Sequence, residues 1–321
     1  MRSMTLLIAA VALFVAGAAP SRSRAQEFPS RAVTIIVPFS AGGPADTAAR
    51  TFADVMRKHF TQPVVVENRP AAGGIPGTEY VAQSSHDGYT LLLGGIAGLS
   101  LIPPIQKVRY AVDDFAALGL IWRSPQVFAV RNGLPVTTAA EFVAYAKANP
   151  DKLTFGSAGI GTVTHLAGEL LQRETGTKLV HVPFRSTVNS LTDLMGEHID
   201  AIFGDVAILQ PHVQGRAVKA LGITSYERSP LLPDLVTMKE TGFPGVHTEV
   251  WYGLLAQART PAPALAKLRE TVAAAQRDPE FAERLNKFGI STPEPGAESF
   301  RAFIRAEIDR WTPIVTSVRT N

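Results

Sequence analysis

Ile35-Ile36-Val37-Pro38-Phe39-Ser40-Ala41-Gly42-Gly43-Pro44-Ala45-Asp46 is the stretch on which the reading of this chain turns. A β-branched apolar run stops at a proline, a loop of small residues follows, and a helical pattern begins at once. A strand that turns through a glycine loop into a helix leaves backbone N–H groups free at the helix N-terminus, where an anion is favoured. The same stretch can equally be a plain strand-to-helix turn, because glycine loops are common.

Outward from it the pattern repeats. Residues 32–37 read as a buried strand, and Ala49, Phe52, Ala53, Met56 and Phe60 give the following helix one apolar face. Val64-Val65-Val66-Glu67 is a second strand, and Gly73-Gly74 leads into a helix that ends near Ser84. Tyr89 to Leu93 is a third strand, ending at Gly94-Gly95. Strand, helix, strand, helix, strand predicts an α/β fold with a parallel sheet, whose ligands sit off the C-terminal strand ends. A second such pattern runs from a helix opened by Thr138 through strands at 153–155, 179–182, 199–203 and 218–224. Val37-Pro38-Phe39 recurs as Val182-Pro183-Phe184, a faint echo of the kind two similar α/β lobes would leave. Trp251 to Ala256 is another strand, placed to carry the chain back to the first lobe, and three helices begin at Pro261, Pro279 and Ser299.

The 321 residues allow about two domains, and 46% hydrophobic against 18% charged content describes a packed globular chain. Arg2, the apolar run Leu6 to Ala16 and the small residues Ser23 and Ala25 read as a cleavable export signal over residues 1–25, so a periplasmic protein is expected. Removing Arg2, Arg22 and Arg24 turns 31 basic against 28 acidic residues into 28 against 28, so nothing argues for a nucleic-acid partner. There is no cysteine, which excludes disulfides and thiolate chemistry, and the seven histidines show no metal-like spacing; neither a metal nor a cofactor is expected.

Catalytic patterns fail in turn. Leu93 and Ala72 stand where a dinucleotide fingerprint needs its first glycine, and Phe155 where a nucleophile elbow needs one before Ser157. A hydrolase built on Ser157 and His165, with Asp205 in support, remains an alternative, but His165 sits inside a helix, where packing is its commoner role. Binding chemistry fits better. Ser157, Thr162 and Thr164 offer hydroxyls around a second glycine loop, Asp205 ends a strand, and Arg185 can hold a carboxylate bidentately. No catalytic residue is therefore assigned.

These segments resemble the Bug family, the extracytoplasmic solute receptors of tripartite tricarboxylate transporters. The resemblance runs through residues 37–50, 64–74 (VVVENRPAAGG), 87–93 (DGYTLLL), 155–171 (FGSAGIGTVTHLAGELL), 181–184 (HVPF), 191–203, 232–234 and 251–256 (WYGLLA), in order over nearly all of the chain. It implies a type II-like, two-lobed periplasmic binding fold, each lobe a mostly parallel sheet flanked by helices, with the ligand cleft between them. The expected division is 26–127 and 249–321 for the first lobe and 128–248 for the second, hinged near Val127–Arg131 and Glu249–Ala256. It also implies a monomer that captures a small organic acid or amino acid and hands it to membrane transporter subunits; a sensor for a signalling partner is the alternative. By the resemblance the ligand contacts are Phe39, Ser40, Ala41, Gly42 and Gly43 in the first lobe and Ser157, Gly161, Thr162 and Asp205 in the second; the residue chemistry, not the resemblance, adds Arg185. Three departures stand out: Pro44 where a third glycine is usual, Ile102 where asparagine is expected, and Arg185-Ser186-Thr187 for a Lys-Gly pair. They point to a ligand unlike the simplest dicarboxylates, or to one gripped more by the second lobe.

Overall fold

The computed structural model describes residues 28–70, 74–290 and 292–319; the export-signal reading of residues 1–25 and Gly73 lie outside them. In the first half, β1 (Val33–Val37) is flanked by β2 (Val64–Asn68) and β3 (Thr90–Gly95), all parallel. Helices α1 (Pro44–Met56) and α2 (Ile75–Ala82) are the crossovers, and a π-helical turn, Ala97–Leu101, follows β3. The next strand, β4 (Phe115–Val130), is 16 residues long and belongs to both halves. Its first part, through Pro125, pairs antiparallel with β9 (Glu249–Gln257), which itself lies against β3.

From Gln126 onward β4 changes partners. It pairs antiparallel with β7 (Ala201–Asp205) on one side and β8 (Lys219–Ile223) on the other. Behind β7 come β5 (Thr154–Ser157) and β6 (Val180–Pro183), parallel to each other, with β5 also parallel to β7. The helices of this half are α3 (Ala139–Ala148), α4 (Val163–Thr175), α5 (Thr187–Met195) and α6 (Val206–Gln214). Thr138 caps α3 in a reciprocal box with Glu141, as its position before an apolar face predicts.

Both halves therefore carry the same order, second-first-third parallel strand and then an antiparallel neighbour. The Val-Pro-Phe echo is not its signature: one copy ends the first strand of its half, β1, and the other ends the second, β6. The partner change on β4 comes at Pro125–Gln126, a little before the predicted hinge at Val127. Proline carries no N–H for a ladder, so it is a natural end to one pairing. The return segment crosses alongside. Thr224 Oγ1 accepts the Gln126 N–H at 2.8 Å and donates to Thr248 O at 2.6 Å, and all three residues are buried.

Alternation along β4 decides which face each residue covers. Phe128 and Val130 pack with Phe142, Phe155 and Phe203, while Val127 and Ala129 pack with Leu191, Ile202 and Val206. In the first half, Phe52, Leu118, Leu254 and Val272 fill one face of the sheet, and Trp251, Phe300 and Trp311 the other. The last elements, α7 (Ala262–Gln276), α8 (Pro279–Asn286) and α9 (Ala297–Arg319), return to this half; α7 and α9 lie on β4. A sheet with one bare face must be covered, and these helices bring no strand of their own.

Candidate functional site

Parallel strands point their C-terminal ends, and the loops that follow, to one edge. Here the edges of both halves meet over a single cavity of about 850 Å³. Phe39 after β1, Ile96 after β3, Ala158 and the residues 160–164 after β5, Arg185 after β6 and Asp205 at the end of β7 all line it. Gln126 on β4 and Tyr252 on β9 form its floor beside the crossing. Of the residues expected to bind, Phe39, Gly161, Thr162, Arg185 and Asp205 line this cavity; Ser40 to Gly43 sit in the loop at its edge, and Ser157 lies beneath.

The first loop is latched from inside. Asp46, in the first turn of α1 and 4% exposed, accepts the Gly42 N–H at 2.9 Å, Arg50 Nε at 3.0 Å and Asn68 Nδ2 at 2.9 Å. Asn68 Nδ2 also reaches Phe39 O at 3.1 Å. Burial raises the Asp46 pKa, but these donors outweigh it and hold the carboxyl below its usual range. Gly42 needs no side chain because its φ is +80°, in the left-handed region. So Asp46 is not among the cavity-lining residues, and the Gly42 N–H is already spent.

The second loop spends its donors too. Ala158 N–H goes to Thr164 Oγ1 at 2.8 Å, Gly159 N–H to Ser157 Oγ at 3.0 Å, and Gly161 N–H to His165 Nδ1 at 3.2 Å. Thr162 N–H goes to Gly159 O at 3.2 Å, and the Thr162 hydroxyl donates to the same oxygen at 2.6 Å. Acceptance at Nδ1 leaves the proton of neutral His165 on Nε2, which is 3.6 Å from Glu169 Oε1.

Beneath that loop is a pair of histidines in ring contact that the sequence does not announce. His165 on α4 and His181 on β6 have ring centroids 4.1 Å apart, and Phe155 stacks on His181 at 4.8 Å. Ser157 Oγ is 2.6 Å from His181 Nε2. Burial first, then His181, push His165 down to about 4; burial lowers His181 as well. The histidine that meets Ser157 is thus His181 rather than His165, and Ser157 is fully buried under the stack. A substrate carbonyl cannot approach it without unpacking the loop.

Asp205 is the acidic group of the cavity. It caps α6, accepting the Ala207 N–H at 3.0 Å, and accepts the Ser124 hydroxyl at 2.5 Å. Burial raises its pKa against the pull of these two donors. Tyr252, whose phenol is pushed up by burial and then by Asp205, stands beside it. Arg185 is exposed at the rim and has no ion pair or hydrogen bond among the described residues. Ser124, Gln126, Tyr252 and His181 are not expected at the site from the sequence; all four lie on strands, His181 and Tyr252 inside runs that the sequence marks only as strands.

Among the described residues no helix is long and apolar enough to cross a membrane, and no group of three or more His, Asp or Glu side chains is placed to hold a metal ion. The family model described as the tripartite tricarboxylate transporter family receptor matches residues 48–319. A UPF0065 protein of Bordetella pertussis is 33% identical over 321 residues, covering 99% of this chain and 98% of the relative. MatC of Rhodopseudomonas palustris, solved with bound malate, superposes with a TM-score of 0.75 at 32% identity, covering 90% of this chain and 100% of the other. Another R. palustris protein, solved with adipate, has a TM-score of 0.78 at 29% identity, covering 90% and 98%.

Proposed function

Since this chain belongs to the tripartite tricarboxylate transporter receptor family, we propose that its cavity captures a small organic acid for delivery to membrane transporter subunits. The family is one of solute receptors rather than enzymes. One observation carries the reading: a single cavity is lined from the C-terminal strand ends of both halves. A ligand touching both halves favours their approach only through contacts that the separated halves lack, which is how such a receptor signals occupancy. Malate and adipate in two structural neighbours support a carboxylate as the anchor group.

In this reading the carboxylate rests on the first loop, Phe39 to Gly43, with the Ala45 N–H at the start of α1 and Arg185 reaching from the other side. Gly161, Thr162 and Asp205 complete the grip, and Ser157 acts through the loop it supports. The halves move as two lobes divided near 127/128 and 248/249, which the change of strand partners along β4 supports. The protein works as a periplasmic monomer exported by the signal over residues 1–25. Calorimetric titration of ligand-stripped protein with a panel of organic acids and amino acids tests the proposal. Heat and a rise in melting temperature with at least one acid are expected, and silence across the panel would refute it.

A further inference from the structure

The lining of the cavity narrows the class of acid. Among the described residues that line it, Arg185 alone is cationic and Asp205 alone is acidic. Four N–H groups of the second loop, those of Ala158, Gly159, Gly161 and Thr162, are committed to Thr164, Ser157, His165 and Gly159, which leaves that loop fewer donors for another anion. Among the described residues the first loop and Arg185, the cavity's cationic side chain, are the favoured seat for negative charge. A second carboxylate on the ligand would share the cavity with Asp205, where like charge disfavours it in a half-enclosed site.

The rest of the wall is apolar. Leu101, Ile102 and Ile105 come down from the π-helical turn and the segment after it, and Val163 and Ile208 face in from the second half. Ile160, at the tip of the second loop, lines the same cavity and is 76% exposed. A large aliphatic side chain held in water at the lip of a cavity gains stability only when something apolar covers it. A short dicarboxylate offers no such surface. Meanwhile Asp205 offers lone pairs beyond those used by Ser124 and Ala207, and the Tyr252 hydroxyl beside it has no hydrogen-bond partner among the described residues. Together they make a polar end opposite the anion site.

We infer that the ligand is a monocarboxylate with a bulky apolar body, aromatic or branched, and a hydrogen-bond donor at its far end that meets Asp205. This rests on the receptor reading above and specifies the acid that reading leaves open. The test is titration calorimetry of ligand-stripped protein with hydroxyphenylpropanoate, phenylpropanoate, adipate and malate. Hydroxyphenylpropanoate is expected to bind more tightly than adipate by about tenfold or more, and phenylpropanoate to fall between them. Ile160→Ser, at an exposed position, is expected to weaken the aromatic acids by about tenfold and adipate by distinctly less. Asp205→Asn keeps a good helix cap, and is expected to strengthen adipate while weakening hydroxyphenylpropanoate. Equal or tighter binding of adipate or malate to the unaltered protein would overturn the inference and leave the receptor reading intact. No heat with any acid, including a wider panel, would overturn both.

Discussion

Replacing Asp46 by alanine should unlatch the first loop, and the size of the effect follows from its neighbours. The carboxylate takes three donors, from Gly42, Arg50 and Asn68, while only 4% exposed. Hydrogen bonds to a charged acceptor contribute roughly 1.5–3 kcal/mol each when the partner is left buried and unpaired. That does not apply in full here. The Arg50 side chain is 52% exposed and rehydrates, and Asn68 keeps Phe39 O as an acceptor. Gly42 lies on an exposed loop and finds water. The net cost is therefore near the low end, about 2 kcal/mol, or a fall of about 4 °C in melting temperature for a chain of this size. The effect has a pH signature. The folded pKa lies below the ordinary carboxylate value, so the contribution is complete above the unfolded pKa of about 3.9 and fades as pH falls through the folded one. Wild type and Asp46→Ala should differ from neutral pH down to about 4 and converge below it. Thermal melts across pH, with calorimetry for the bound acid, read both quantities. Equal melting temperatures at neutral pH together with unchanged affinity would show that the carboxylate does not hold the loop.

Acidification should weaken the second half through its histidines. His165 is depressed to about 4 by burial and then by His181, so its stabilising contribution is full above about 6.5 and is lost as pH falls towards 4. His165→Gln should flatten the fall in melting temperature between these limits, and an unchanged slope would count against the stack as its source. Glu307→Leu should cost about 2–4 kcal/mol, because Oε2 takes both the Trp251 and Trp311 indole N–H groups at 2.9 and 3.1 Å in a buried setting; urea unfolding followed by tryptophan fluorescence measures it. Gly168→Ala improves helix propensity but places Cβ 2.2 Å from the Phe155 ring, so a net loss of about 1–3 kcal/mol is expected, and a gain in stability would refute the tight packing there.

What could be read from the sequence was local. The strand Val33–Val37 ends where Pro38 says it must, the Thr138–Glu141 box marks a helix start, and the glycine loops lie at strand ends. What could not be read depends on partners far along the chain. β4 is one strand of two halves, yet Pro125 inside it reads as a break; only the identity of its partners shows that the proline ends one pairing and not the strand. His165 looks like an ordinary mid-helix histidine until β6 brings His181 beneath it. The loop 158–162 looks like a row of free donors, and only the folded loop shows Thr164, Ser157 and His165 turning back to take them. The resemblance to solute receptors supplies the cleft, but not which of its N–H groups remain to meet a ligand.

The crossing explains why two such different loops can serve one site. Asp205 accepts Ser124, which lies just before the residue where β4 leaves the first sheet. Two residues on, Gln126 shares Thr224 with the return segment at Thr248. The acidic end of the cavity is thus tied to the connection between the halves, whereas the first loop is tied by Asp46 to α1 and β2, well inside its own half. A rigid loop in one half and a carboxylate fixed at the crossing keep the two polar ends of the cavity in place. Under the proposed function, the apolar residues between them, Ile160 above all, gain contacts as the halves approach, so the polar ends would select the ligand and closure would depend on how much apolar surface it brings.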